Sequence, residues 1–201
     1  MTLPPRRLIG LHLRARQTGR GVVALAAIAA AMRASQPWTG GSGLFPQVVL
    51  LLLTAAAASA VATGTHNPFG EVEHTASSPL PVLRGAHLLT LTGVALAGTA
   101  VAALTATYGV GGVALLRNLA GFTGIALLTA GILGAQLAWT VPLGYVLYCG
   151  GEIDLHLSSL WSWPIRPGAD RAAAVVAVAL LTAGAALVCL AGARDRRSEA
   201  T

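Results

Sequence analysis

The 201-residue chain contains no lysine, and only 10% of its residues carry charge. A soluble domain needs roughly 25% charged residues to solvate its surface, so the shortage excludes one. All 13 basic residues are arginine; seven acids oppose them, leaving a formal net charge of +6. The arginines are dispersed through apolar sequence rather than gathered on a stripe, which argues against a nucleic-acid partner. Cysteine is almost absent. Cys149 and Cys189 have no metal-type spacing and lie in apolar surroundings, so they read as small buried hydrophobes. Without lysine there is no Gly-x-x-x-x-Gly-Lys-Ser/Thr loop to cradle phosphates, so this chain does not carry nucleotide chemistry itself. What fills the chain instead is apolar: 55% hydrophobic residues, 40 of its positions alanine. The composition is that of an integral membrane protein. Its basic excess reads as a topology signal and a contact with anionic headgroups.

Runs without Asp, Glu, Lys or Arg set the number of crossings. They are Ala34–Gly70, Gly85–Leu116, Asn118–Gly151 and Ala172–Ala193. A spanning helix needs about 20 residues. The last run therefore holds one span. Between Gly85 and Gly151 the one charge is Arg117, and the length allows three spans, near Ala86–Thr107, Val113–Leu133 and Ala138–Gly151. The turn at Gly134–Trp139 would hold no charge. In the first run the breaker cluster from Trp38 to Gly43 precedes a span at Pro46–Thr63. Gly21–Met32 is short, but Arg20 and Arg33 stand about 20 Å apart along a helix and can snorkel to bracket a bilayer. The expectation is six spans in an all-α, polytopic membrane fold.

The first 17 residues do not read as a signal peptide, because arginines interrupt them and no long apolar core is present. Leu8, Leu11 and His12 beside Arg7 and Arg14 read as a short amphipathic helix on the membrane surface; a basic tail is the other reading. Five arginines precede the first span, and Arg194, Arg196 and Arg197 follow the last. The positive-inside rule then puts both termini in the cytoplasm, which requires an even number of crossings. Residues 64–85 form a cytoplasmic loop and 152–171 an outer segment. The expected organisation is an N-terminal surface helix over 1–17, a membrane domain over 18–193 and a tail over 194–201.

The cytoplasmic loop carries Phe69, Glu71, Glu73, His74 and Thr75, then Pro79, Pro81 and Arg84. An acidic pair, a small-polar run and two prolines before a span fit a short helix parallel to the membrane over 71–77; a plain solvated linker fits as well. Glu71, Glu73, Thr75, Pro79, Leu80, Pro81 and Arg84 together resemble the coupling-helix region of type-two permeases of ATP-binding-cassette exporters. The N-terminal stretch from Arg7 to Arg16 is similar to that family's membrane-surface elbow helix. Six spans, two cytoplasmic ends and an outer segment before the last span extend the likeness over nearly the whole chain, as layout rather than as a diagnostic motif. The resemblance implies a permease subunit in a bacterial cell membrane. It would pair with a second copy or a related permease and couple through residues 64–85 to a separate ATP-binding subunit. No cofactor would be held by this chain; ATP and Mg would sit on the partner.

In the outer segment Glu152, Asp154 and His156 alternate, which on a strand could present metal ligands, but a fourth ligand is not evident. An interfacial helical segment fits better, with Leu157, Leu160 and Trp161 on one face and Trp163 in the aromatic belt. The resemblance implies a re-entrant outer gate here. Glu152, Asp154 and Trp161 are thus candidate gate or pathway residues, with Arg117 and Asn118. Arg117 either snorkels from the fourth span or meets substrate. Gly40–Gly43 has a Gly-x-Ser-Gly shape, with Ser42 as a nucleophile and His87 as a conceivable base. They belong to opposite sides of the membrane, out of hydrogen-bond reach. Gly93, Ala97, Gly98, Gly121 and Gly124 are expected to let helices approach closely. A scaffold or anchoring subunit of a larger complex is the alternative to the permease.

Overall fold

The computed structural model describes residues 18–41, 43–65, 80–105, 108, 111–154 and 161–191. Among them every regular element is a helix: α1 (Thr18–Ala34), α2 (Gln36–Thr39), α3 (Leu44–Thr63), α4 (Leu80–Thr105), α5 (Gly112–Leu133), α6 (Thr140–Asp154) and α7 (Arg171–Ala191). Two 3-10 turns, Ala135–Leu137 and Trp163–Ile165, interrupt the connections. The expected surface helix over 1–17 and the tail over 194–201 lie outside the described residues.

Four helices are long and apolar enough to cross a membrane: α3, α4 from Arg84 onward, α5 and α7. This suggests a membrane location. The 17 residues of α1 and the 15 of α6 are fewer than the expected crossings need. At 1.5 Å per residue they extend about 25 Å and about 22 Å. α4 begins six residues before the expected Ala86, at Leu80. Pro81 sits in its first turn, where a missing N–H costs no helical hydrogen bond, so the proline opens the helix instead of preceding it. The charge-free turn after α5 is real. Gly134 adopts φ 102, a conformation that favours glycine, and ends α5 before the 3-10 turn.

The longer helices run alternately between two ends of a bundle. At one end the Tyr108 hydroxyl, on the α4–α5 connection, donates to the Met32 carbonyl of α1 at 3.0 Å. Burial pushes the Tyr108 phenol above its usual pKa, with Arg33 opposing. Leu50 of α3 and Leu115 of α5 pack with Tyr108 at the same end. At the other end His87 Nε2 lies 2.9 Å from the Gly64 carbonyl, joining the start of α4 to the end of α3. A Cβ on Gly21 would lie 3.1 Å from Leu91, and one on Gly85 would lie 3.8 Å from Cys189. Thr18 and Ala191, where the described chain starts and stops, are therefore at this second end.

α5 is the axis of the bundle. Of its apolar stretch 72% is buried, against 39%, 28% and 22% for α3, α4 and α7. It packs against α3, α4, α6 and, most extensively, α7. Glycines allow that last contact: a Cβ on Gly124 would overlap the Leu180 backbone, and one on Gly184 would lie 2.9 Å from the Leu127 Cβ. Backbones this close gain van der Waals contact that alanine-rich helices cannot obtain from bulk. Thr54, Thr123 and Thr129, all buried, donate to carbonyls three or four residues earlier on their own helices, which satisfies each hydroxyl without water. Of the expected packing residues, Gly121, Gly124 and Gly98 have close neighbours, whereas Gly93 has none within 4 Å and Ala97 is exposed. The surface carries Leu89, Val101, Leu104, Val175 and Leu190, all well exposed, as a lipid solvent permits.

Candidate functional site

The polar centre of the described structure lies where α5 begins. Arg117 is five residues into that helix and Asn118 six, about 8–9 Å along its axis. Both are buried, at 7% and 1% exposure, among apolar helices. A strap of residues 161–170, which connects α6 to α7, folds down onto this level. Its Pro164 and Pro167 contribute carbonyls but no N–H, so the strap carries more acceptors than donors.

Arg117 and Asn118 supply the missing donors. Arg117 Nη1 donates to the Pro167 carbonyl at 2.7 Å, and Nη2 to those of Arg166 and Pro164 at 2.8 and 3.3 Å. Nε and Nη2 also donate to Asn118 Oδ1 at 3.3 and 3.2 Å, and Asn118 Nδ2 donates to the Pro164 carbonyl at 2.7 Å. Buried irregular backbone needs partners for its polar groups, from protein or from water. Here protein supplies them. The expectation that Arg117 snorkels is therefore corrected: its side chain turns inward and spends its donors on the strap.

Below the clamp the strap inserts Trp163, which is 3% exposed. Its indole lies 5.7 Å from the Phe122 ring and 6.3 Å from Tyr145, stacked on the latter at 26°. It presses on Gly121, where any Cβ would overlap the indole. Gly121 is nine residues into the 22-residue α5, so the ring reaches almost the helix midpoint. The placement of Trp163 in an aromatic belt is thus corrected too, because the small residue opposite it offers a seat inside the protein. Trp161, 72% exposed, presents its ring outward instead. The Tyr145 hydroxyl donates to the Trp161 carbonyl. Asp170 closes the strap: Oδ1 accepts the Ala173 N–H at 3.0 Å, capping α7, and Oδ2 pairs with Arg166 at 3.4 Å. These contacts, the Ala173 N–H foremost, hold the Asp170 carboxyl below the usual carboxylate pKa range.

Of the other candidates, Glu152 is buried and accepts the Tyr148 hydroxyl at 2.9 Å. Asp154 ends α6, and His156, Leu157 and Leu160 lie outside the described residues. No group of three His, Cys, Asp or Glu among the described residues is disposed to hold a metal. In the loop, Phe69, Glu71, Glu73, His74, Thr75 and Pro79 lie outside the described residues, as does Ser42; Pro81 and Arg84 open α4. His87 is engaged with Gly64 at the end of the bundle opposite Gly41 and Gly43. Sequence reasoning singled out Arg117 and Asn118 but missed their partners. The Trp-Pro-Ile-Arg-Pro run was the available signal, since its prolines leave carbonyls in need of donors.

Comparison with known proteins finds no matching family model, no matching characterised sequence and no matching solved structure. The functional reading rests on the residues and geometry above.

Proposed function

We propose that this chain is the membrane-embedded permease subunit of an ATP-driven exporter, working beside a second copy or a related permease. The observation that carries the reading is the layout. Both described termini lie at the end of the bundle where α3 stops and α4 starts, and an irregular strap folds back at the other end between α6 and α7. In this reading α1 and α6 also cross, giving six passes. Arg20 and Arg33 snorkel to extend α1, and the strap completes the depth that α6 lacks. The end with both termini faces the bacterial cytoplasm, following the arginines of the two terminal segments. Residues 64–85, which include the first turns of α4, dock on an ATP-binding subunit, which holds ATP and Mg.

The scaffold reading draws on one feature, the tight glycine-mediated packing of α5 on α7, which suits a rigid anchor. One experiment separates the two. The purified chain in lipid is assayed for ATP hydrolysis alone and with the proteins that co-purify with it. The exporter reading expects no turnover alone, turnover with a Walker-containing partner, and uncoupling when Glu71 and Glu73 are both reversed to lysine. Hydrolysis by the chain alone, or unchanged coupling in the double variant, removes the reading.

A further inference from the structure

We propose that the strap over 161–170 occupies, as a tethered stand-in, a binding site for an amphipathic phosphate such as an anionic phospholipid. Arg117 and Asn118 are its headgroup donors, and Phe122 and Tyr145 its apolar wall. The inference depends on the clamp alone and holds for either reading above.

The first argument is a surplus of charge. Holding strap carbonyls needs donors, not charge, and Asn118 already holds Pro164 at 2.7 Å as a neutral amide. A guanidinium at 7% exposure adds a full positive charge, which is costly at membrane depth. Among the described residues its hydrogen bonds go to neutral oxygens: three carbonyls and one amide. Asp170, an acid at the same end, attracts Arg117 through space, but its oxygens are in direct contact with Arg166 and the Ala173 N–H, not with the fork. An anion would neutralise Arg117 where carbonyls do not. Three carbonyl oxygens, those of Pro164, Arg166 and Pro167, surround the fork, as the peripheral oxygens of one phosphate would. A phosphate would add the attraction of opposite charges to the charge-assisted bonds that the guanidinium already makes to carbonyls.

The second argument is the shape beside the fork. Trp163 fills a cradle floored by Gly121 and walled by Phe122, Tyr145, Ala173 and Ala177. An apolar body next to carbonyl oxygens is the outline of an amphipathic anion. Within itself the strap has turn bonds, Ile165 to Ser162 and Asp170 to Pro167. A ligand that displaces residues 161–167 must replace the Arg117 and Asn118 bonds and the Trp163 seat, while Asp170 stays as the cap of α7.

The test locks the strap. A Cβ on Gly168 would lie 3.6 Å from the Ala114 Cβ, within disulfide range. The full chain carries Ala114→Cys and Gly168→Cys, with Cys149 and Cys189 changed to alanine. Trp38, Trp139 and Trp161 become phenylalanine, so that emission reports Trp163. In phosphatidylcholine nanodiscs, short-chain phosphatidate should bind the reduced protein saturably with a red shift. Oxidation should weaken binding at least about tenfold, and reduction should restore it. Without the lock, Arg117→Gln should weaken binding roughly tenfold to a hundredfold. Arg117→Lys, which keeps the charge but not the fork, should fall between and decides the matter if the glutamine variant does not fold. Equal binding by the locked and unlocked forms overturns the proposal. So does a response to short-chain phosphatidylcholine or to inorganic phosphate equal to that of phosphatidate.

Discussion

A methyl group at Gly124 would have to displace the Leu180 backbone, whereas one at Gly93 would meet nothing within 4 Å. The same substitution should therefore change sign between the two helices. Gly124→Ala is expected to destabilise the folded chain by about 1–3 kcal/mol through overpacking. Gly93→Ala should be neutral or stabilising by about 0.5–1 kcal/mol, because it removes only the entropic cost of glycine in a helix. Unfolding in mixed micelles titrated with denaturing detergent measures both. Equal losses would mean that α5 and α7 do not meet at Gly124. From sequence both glycines had equal standing, because a helix face can be read from spacing but its neighbour cannot.

At the scale of elements, α7 is held at its start by a charge. The Asp170 carboxyl has a depressed folded pKa, chiefly because it accepts the Ala173 N–H. Its contribution is therefore complete above the unfolded carboxylate pKa and is lost as pH falls through the lower folded value. Thermal unfolding followed between about pH 6 and pH 3 should show this loss in the native chain and a smaller one in Asp170→Asn, which keeps a capping oxygen without a titrating charge. Identical profiles would exclude the cap as a source of acid lability. The limits of α3 and α7 were legible, α3 because a glycine-rich breaker and Pro46 stand at its start and α7 because arginines bound its charge-free run. The start of α4 was not, since a proline reads as a stop unless it falls in the first turn. The clamp was legible by half. Arg117 and Asn118 stand out in apolar sequence, but their partners are backbone carbonyls 46–50 residues away, and carbonyls carry no residue signature.

For the molecule as a whole, the proposed orientation assigns each end of the bundle to one side of a membrane. With Cys149 and Cys189 replaced by alanine, a cysteine at Gly41 or Ser158 should react with an impermeant thiol reagent added outside intact cells. A cysteine at Ser77 should react only after the membrane is opened. Labelling of Ser77 from outside would invert the bundle. Labelling of Gly41 and Ser158 from opposite sides would remove one crossing and with it the shared location of the termini.

The axial place of α5 also has a consequence in time. The helix around which α3, α4, α6 and α7 gather comes late in the chain, and about 100 residues separate the end of α1 from the end of α5. At synthesis rates of about 5–20 residues per second, α3, which ends about 70 residues before α5 does, waits roughly 4–14 s for that neighbour. In that interval Leu91, Ala58 and Val61, buried in the finished bundle, have only α1, one another and lipid to pack against. The strap comes later still. Arg117 therefore enters the nascent bundle before its three carbonyl partners have been made, with Asn118 as the partner already at hand.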